Sequence, residues 1–249
     1  MTKLQTLKQI VADSLNTAQQ AAGKMRLDES TRVKIAKSML THINGLDSLG
    51  LGSGRNLWAT SLFVDMRGST KRALSLGAKK TYLTMHALLP VFSHLVEEQE
   101  GFIVGFRGDG LFAVFGINED GGNPLPLNKH KHVREAAICG AQMIEATYAA
   151  INPALETLDI EPINGIGVGV DEGDIIITRI GLGSMYDLTA YGDSVNNASK
   201  LCSDSFNEVI LSNSAEDLFP SGINGQVTTT PHSGKTQGMV MNFPMSLLD

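Results

Sequence analysis

Two stretches decide the fold: Ser61-Leu62-Phe63-Val64-Asp65-Met66-Arg67-Gly68-Ser69-Thr70 and Ile103-Val104-Gly105-Phe106-Arg107-Gly108-Asp109-Gly110-Leu111-Phe112-Ala113-Val114-Phe115. In each, an acid follows an apolar, strand-like run. Asp109 lies in a Gly-Asp-Gly turn between two such runs, which is the pattern of a β-hairpin. Two carboxylates delivered by strand ends into one place suit hard divalent cations, which take oxygen ligands.

Working outward, Trp58–Asp65 reads as the first strand and Arg67–Thr70 as a turn into a helix. Thr81–Glu98 is helical, with Leu83, Leu88, Val91, Phe92 and Leu95 on one face and Pro90 as the expected kink. Gly101–Arg107 and Leu111–Phe115 make the hairpin, 118–132 a polar loop, and Val133–Ala150 an Ala-rich helix. Gly165–Val170 and Asp174–Ile180 read as a second hairpin around Asp171-Glu172-Gly173. Val195–Ser203 is a helix, Glu208–Leu211 a strand and Ala215–Phe219 a short helix; 226–245 holds two strands joined by a loop at Pro231–Gly238. The order β-α-β-β-α-β is an α+β, ferredoxin-like split βαβ core with helices on one face of a mainly antiparallel sheet, extended by C-terminal strands.

Residues 1–48 read as helical. Leu4, Leu7, Ile10, Val11 and Leu15 recur at helical spacing, and Asp28-Glu29-Ser30 starts a second helix carrying Val33, Ile35, Met39 and Ile43. A Gly-rich linker, Leu49–Gly54, follows. The division expected is an N-terminal helical extension, 1–56, and a catalytic domain, 57–249. The extension either packs on the domain, serves dimerisation, or simply completes the core.

The 20 basic and 26 acidic residues give a net charge of −6, which argues against a nucleic-acid polymer or an anionic membrane as partner. A small anionic substrate needs only a local positive site. Cys139 and Cys202 read as buried thiols rather than a disulfide. No apolar run is long enough for a bilayer and no secretory signal is visible, so a cytoplasmic protein is expected. The histidines carry no zinc-type spacing.

A third stretch is Thr189-Ala190-Tyr191-Gly192-Asp193-Ser194-Val195-Asn196-Asn197-Ala198-Ser199-Lys200-Leu201. On a helix Asn196 and Lys200, four apart, share a face, where an amide and a cation suit a ribose and a phosphate. The plainer alternative is a capped helix start with an exposed lysine.

Taken in order, Phe63–Thr70, Gly108-Asp109-Gly110 and Tyr191–Ser199 resemble the class III nucleotidyl cyclase catalytic domain over about 58–245. The resemblance implies two divalent ions, Mg2+ or Mn2+, held by Asp65 and Asp109 with the Met66 carbonyl. It implies that Phe63, Gly68, Ser69 and Thr70 line the nucleotide, that Asn196 orients the ribose, and that Lys200 stands where the family usually has an arginine on the α-phosphate. It also implies a head-to-tail homodimer, with Asp65 and Asp109 from one subunit meeting Asn196 and Lys200 from the other. Lys235 is the candidate for the terminal-phosphate lysine of the tail strands, with Arg67, Lys71 and Arg72 as alternative anion contacts.

The departures bear on the base. Ile103 is expected at one base-reading position and cannot hydrogen-bond, while Thr189, at the other, can donate or accept. Arg107 replaces the usual aliphatic residue before Gly-Asp and brings a fork of donors. Its alternatives are the triphosphate or solvent. The combination is similar to the pyrimidine cyclases of bacterial Pycsar anti-phage systems, which make cyclic UMP or cyclic CMP for a cyclic-nucleotide-responsive effector. UTP is preferred over CTP. The rivals are a purine cyclase and an idle, nucleotide-binding cyclase homologue, which Lys200 and Ile103 would permit.

Overall fold

The computed structural model describes residues 1–24, 46, 49–117, 128–182, 185–219, 227–243 and 246–248. Eight strands form one sheet in the order β2-β3-β1-β4-β6-β8-β7, with β5 also paired to β4. They are β1 (Gly54–Met66), β2 (Phe102–Arg107), β3 (Gly110–Phe115), β4 (Ile166–Leu182), β5 (Met185–Tyr191), β6 (Glu208–Leu211), β7 (Thr228–Pro231) and β8 (Met239–Asn242). The first four strands have the expected split βαβ order. Every pairing is antiparallel except β4 with β6.

Strand alternation divides β1 between two cores. Trp58, Leu62, Val64 and Met66 face the helices, where they meet Leu88, Phe92 and Leu95 of α2 (Ser69–Glu98) and Met143 of α3 (Lys129–Ala146). Leu57 and Ala59 face the other way and pack with Phe112, Val114, Ile175, Ile177 and Ala190. The first helix, α1 (Lys3–Lys24), adds Leu7, Val11 and Leu15 to the helix-side core. Ser14 Oγ ties α1 to α2 by donating to the His86 carbonyl at 2.6 Å. The second helix expected before the linker lies outside the described residues.

Four local expectations are corrected. The interruption of α2 is at Gly77 (φ 73, ψ 171), a conformation glycine adopts without strain, rather than at Pro90. Helix α3 begins at Lys129, so 129–132 are not loop; 118–127 lie outside the described residues. After α3 a π-turn at Thr147–Ile151 leads into the short α4 (Asn152–Glu156). Most consequentially, Asp171-Glu172-Gly173 is not a turn. β4 runs straight through it, paired with β1 without a break from Gly54↔Thr178 to Met66↔Ile166. Its two acids are used sideways: Glu172 accepts from Trp58 Nε1 at 2.5 Å, and Asp171 is buried. The hairpin partner of β4 is β5, joined across Leu182↔Met185.

The connection from β5 to α5 sets the site. Helix α5 (Asp193–Asp204) lies on the face of the sheet opposite α2 and α3, against the expectation of helices on one face. A period-two series on β4, Gly167, Gly169, Asp171 and Gly173, makes this possible. A Cβ at Gly169 would stand 2.1 Å from the Ala198 carbonyl and 2.2 Å from the Cys202 nitrogen, so the helix backbone rests directly on the strand. After β6 comes α6 (Asn213–Leu218), capped by Ser212 Oγ on the Ala215 N–H. Both cysteines are free and buried, and burial pushes the Cys202 thiol up to about 12.

Candidate active site

β1 ends at Met66 and the β2–β3 hairpin turns at Gly108-Asp109, beside it, because β1 and β3 are neighbours with Val64 opposite Leu111. Gly110 lets the turn close on the strand end. A Cβ there would lie 2.0 Å from the Val64 carbonyl and 2.9 Å from Asp65 Cα. Asp65 and Asp109 are thus pressed together. Burial raises the Asp65 pKa above its ordinary value, and the adjacent Asp109 charge raises it further; the Arg67 guanidinium and the Met66 N–H pull it back only in part. Asp109 Oδ2 is buried without a hydrogen-bond partner. Two acids held against their own repulsion, one with an unsatisfied inward oxygen, fit a bound cation. Among the described residues no cluster of three or more His, Cys, Asp or Glu surrounds them. One or two carboxylates with remaining positions open to phosphate oxygens is a ligand set typical of Mg2+.

Beside this pair lies a cavity of about 270 Å3, lined by Met66, Ser69, Thr70, Thr84, Met85, Gly108 and Asp109 among others. Ser69 and Thr70, which start α2 after the left-handed Gly68, therefore share the space with Asp109. Of the nearby cations, Arg67 and Arg72 already have partners, and Arg72 also lines the cavity. Arg67 donates to Asp65 Oδ2 at 3.3 Å, to the Ser203 carbonyl at 3.2 Å and to Cys202 Sγ at 3.4 Å, so it ties Asp65 to α5. Arg72 donates to the Pro162 carbonyl at 2.8 Å and to the Glu161 carbonyl, and burial lowers its pKa. Lys71 is exposed.

Asn196 and Lys200 project from α5 on its exposed side, away from the Ser194, Val195, Ala198 and Leu201 face that packs down. Arg107 and Thr189 meet: Nη2 donates to Oγ1 at 3.4 Å, across the gap between β2 and β5. The guanidinium lies over Gly105, whose missing Cβ would be 3.9 Å from Arg107 Cζ. Ile103 is not part of this group. A bulge between Ile103 and Gly105 resets the alternation, and Ile103 packs with the helix-side core. The β2 position under the guanidinium is therefore Gly105, which the sequence reading passed over. Phe63 stacks on Phe112, centroids 4.4 Å apart and planes 7° apart, on the face that carries Asp65.

Lys235 is exposed in the loop between β7 and β8. Its neighbour Thr236 donates its N–H to Asp204 Oδ2 at 2.5 Å, at the end of α5. Asn196, Lys200, Arg107, Thr189 and Lys235 do not line the cavity beside Asp109. One chain thus presents two separate groups: the acid pair at the end of β1, and the polar side chains on α5, β2 and β5. The sequence reading missed the buried Asp171 and the tie from Arg67 to α5. The glycines two residues apart on β4 were the available signal for the close helix.

Comparison with known proteins gives the same core. The family model of the adenylate and guanylate cyclase catalytic domain matches residues 56–232. A cytidylate cyclase of Escherichia coli is 27% identical over 160 residues, covering 63% of this chain and 34% of the relative. An adenylate cyclase of Anabaena cylindrica is 25% identical over 157 residues, 63% of this chain and 29% of the relative. The chain spans between 22% and 34% of the length of these and other curated relatives. Among solved structures, the adenylyl cyclase CyaB from P. aeruginosa superposes with a TM-score of 0.64 at 21% identity, over 78% of this chain and 97% of that one. The ordered motifs, the sheet order and the family match over most of the chain agree: this chain belongs to the family of adenylate and guanylate cyclase catalytic domains.

Proposed function

We propose that this protein is a pyrimidine nucleotide cyclase, converting UTP or CTP to the 3′,5′-cyclic monophosphate and pyrophosphate in a homodimer with composite sites. The observation that carries the cyclase assignment is the Asp65–Asp109 pair with its unpartnered, buried Asp109 oxygen. Divalent Mg2+ or Mn2+ at that pair supplies charge neutralisation on the phosphates and a lower barrier to attack by the ribose hydroxyl. The chain's own residues do the rest. Ser69 and Thr70 border the phosphate space. Asn196 positions the ribose so that its 3′-oxygen meets the α-phosphorus, an orientation effect. Lys200 sets a point charge by that phosphate. Lys235, in the β7–β8 loop, is the candidate for the terminal phosphate.

The separation of the two groups on one chain supports the composite dimer. Each group gains its complement from the opposite subunit in a head-to-tail pair. The pyrimidine assignment rests on Arg107 and Thr189. The linked pair faces a base with hydrogen-bond donors, and the acceptors O2/O4 of uracil or O2/N3 of cytosine match them. The Escherichia coli cytidylate cyclase relative supports the pyrimidine class and brings CTP level with UTP. Second-messenger synthesis in anti-phage defence, through a cyclic-nucleotide-responsive effector, is the role that goes with a pyrimidine product. No described helix is long and apolar enough to cross a membrane, which accords with a cytoplasmic enzyme.

The test is incubation of the purified protein with each of the four NTPs and Mn2+, with chromatographic detection of 3′,5′-cyclic products. Cyclic UMP or cyclic CMP is expected. Product from ATP or GTP alone overturns the pyrimidine assignment, and binding without pyrophosphate release points to the idle homologue.

A further inference from the structure

The carboxylate of Asp171 is 6% exposed, and none of the chemistry above uses it. Its Oδ1 accepts from the Glu172 N–H at 2.8 Å, from Ser214 Oγ at 3.2 Å and from Ser212 Oγ, which also caps α6. Its Oδ2 accepts from Asn197 Nδ2 at 2.9 Å. These donors are neutral and come from β4, the start of α6 and α5. A buried carboxyl group with this many partners is a rigid node, and removing one donor leaves a buried acceptor unsatisfied.

The node adds a directional tie to the N-terminal half of α5, whose Val195, Ala198 and Leu201 face is already packed down. Contact of the helix with Gly169 is a van der Waals seating of backbone on backbone, which a directional hydrogen bond supplements. The C-terminal half is held by Arg67 on Ser203 and by Thr236 on Asp204. At the N-terminal half, among the described residues, a directional side-chain bond runs from Asn197 to Asp171, one residue from Asn196 and three from Lys200. We propose that Asp171 is a positioning residue: through Asn197 it fixes the rotation of α5 and so aims Asn196 and Lys200 at the nucleotide. The inference rests on the cyclase assignment, because it gives Asn196 and Lys200 their targets.

Asn197→Ala and the exchanged pair Asp171→Asn/Asn197→Asp test it in the full chain. In the exchanged pair the amide and carboxylate trade places, so the bond re-forms with its polarity reversed. Steady-state kcat and KM are measured with the NTP that the wild type turns over, together with amide hydrogen exchange along the chain. Asn197→Ala is expected to lower kcat about tenfold with KM within about twofold, since the loss is one of orientation. It is also expected to speed exchange in 193–201 while β1 and α2 stay protected. The exchanged pair restores both. Unchanged kcat, a fall in kcat matched by faster exchange throughout the chain, or failure of the exchanged pair to restore either readout overturns the inference. Absence of cyclic product from the wild type would instead sink the cyclase assignment, and hydrogen exchange would still decide whether Asp171 holds the helix.

Discussion

Gly169→Ala is the sharpest perturbation the fold offers. The added carbon would stand 2.1 Å from the Ala198 carbonyl oxygen, where ordinary contact begins near 3.4 Å. Both colliding atoms nearest to it, Ala198 O and Cys202 N, are helix backbone and have no rotamer to change. The shortfall is about 1.3 Å, so α5 must lift from β4 by about that distance or the strand must bow. Over-packing of this kind costs about 1–3 kcal/mol. For a chain of this size that is a fall in melting temperature of about 2–12 °C. The functional effect should match the upper end of the effect on stability in free energy. Displacing Asn196 and Lys200 by about 1 Å is expected to lower kcat about 100-fold. Melting is followed by circular dichroism and turnover by cyclic nucleotide release, with Gly50→Ala as control, because its added carbon meets only Ser53 Oγ at 3.4 Å. Wild-type turnover and melting in Gly169→Ala would show that α5 does not seat on the Gly169 backbone, and the placement of Asn196 and Lys200 would fall with it.

Divalent ions should stabilise the protein through the acid pair: Mn2+ at 100 times its Kd contributes about 2.7 kcal/mol, a rise in melting temperature of about 5–11 °C. Asp109→Asn should erase that rise and the activity together, and a retained rise would place the metal elsewhere. The pH dependence has a definite sign. A carboxyl whose folded pKa is raised, as burial and Asp109 raise that of Asp65, stabilises the fold fully below its unfolded pKa and loses that contribution as pH rises through the folded value. The metal-free protein should therefore lose stability relative to Asp65→Asn on going upward from about pH 4. The Asp65 side chain is 41% exposed, so solvent screening keeps this difference within about 1 kcal/mol. Arg107→Ala removes the guanidinium donors and should lower kcat/KM for the pyrimidine substrate about 10- to 100-fold with less effect on any purine turnover. An equal loss for all four nucleotides in a competition assay would assign Arg107 to the phosphates instead.

Much of the site was legible in the sequence because it is carried by local patterns. An apolar run ending in Asp65, the Gly-Asp-Gly turn at Asp109 and the Asn196/Lys200 spacing each declare strand end, hairpin or helix face within a few residues. The split βαβ order followed from the same alternation. The errors arose where a local signal met a non-local competitor. Asp171-Glu172-Gly173 has turn composition, but thirteen consecutive pairings with β1 hold it extended, and a donor from α5 and two from the start of α6 satisfy its aspartate. Ile103 is expected at a base-reading position, and a bulge in β2 leaves it on the helix-side core instead of beside Arg107.

By itself, then, the sequence determined the placing of two acids at a strand end and a hairpin turn, the strand order and the residues of α5 that face outward, since each depends on period and turn chemistry along the chain. The tertiary structure decided what those residues do together. Close packing pressed Asp109 onto Asp65 and raised its pKa, and backbone-to-backbone contact at Gly169 put α5 on the opposite face of the sheet. The pairing of β5 with β4 carried Thr189 to Arg107. Those are distances between segments far apart in the chain, and only the folded packing of the sheet, with its bulge and its glycines, sets them.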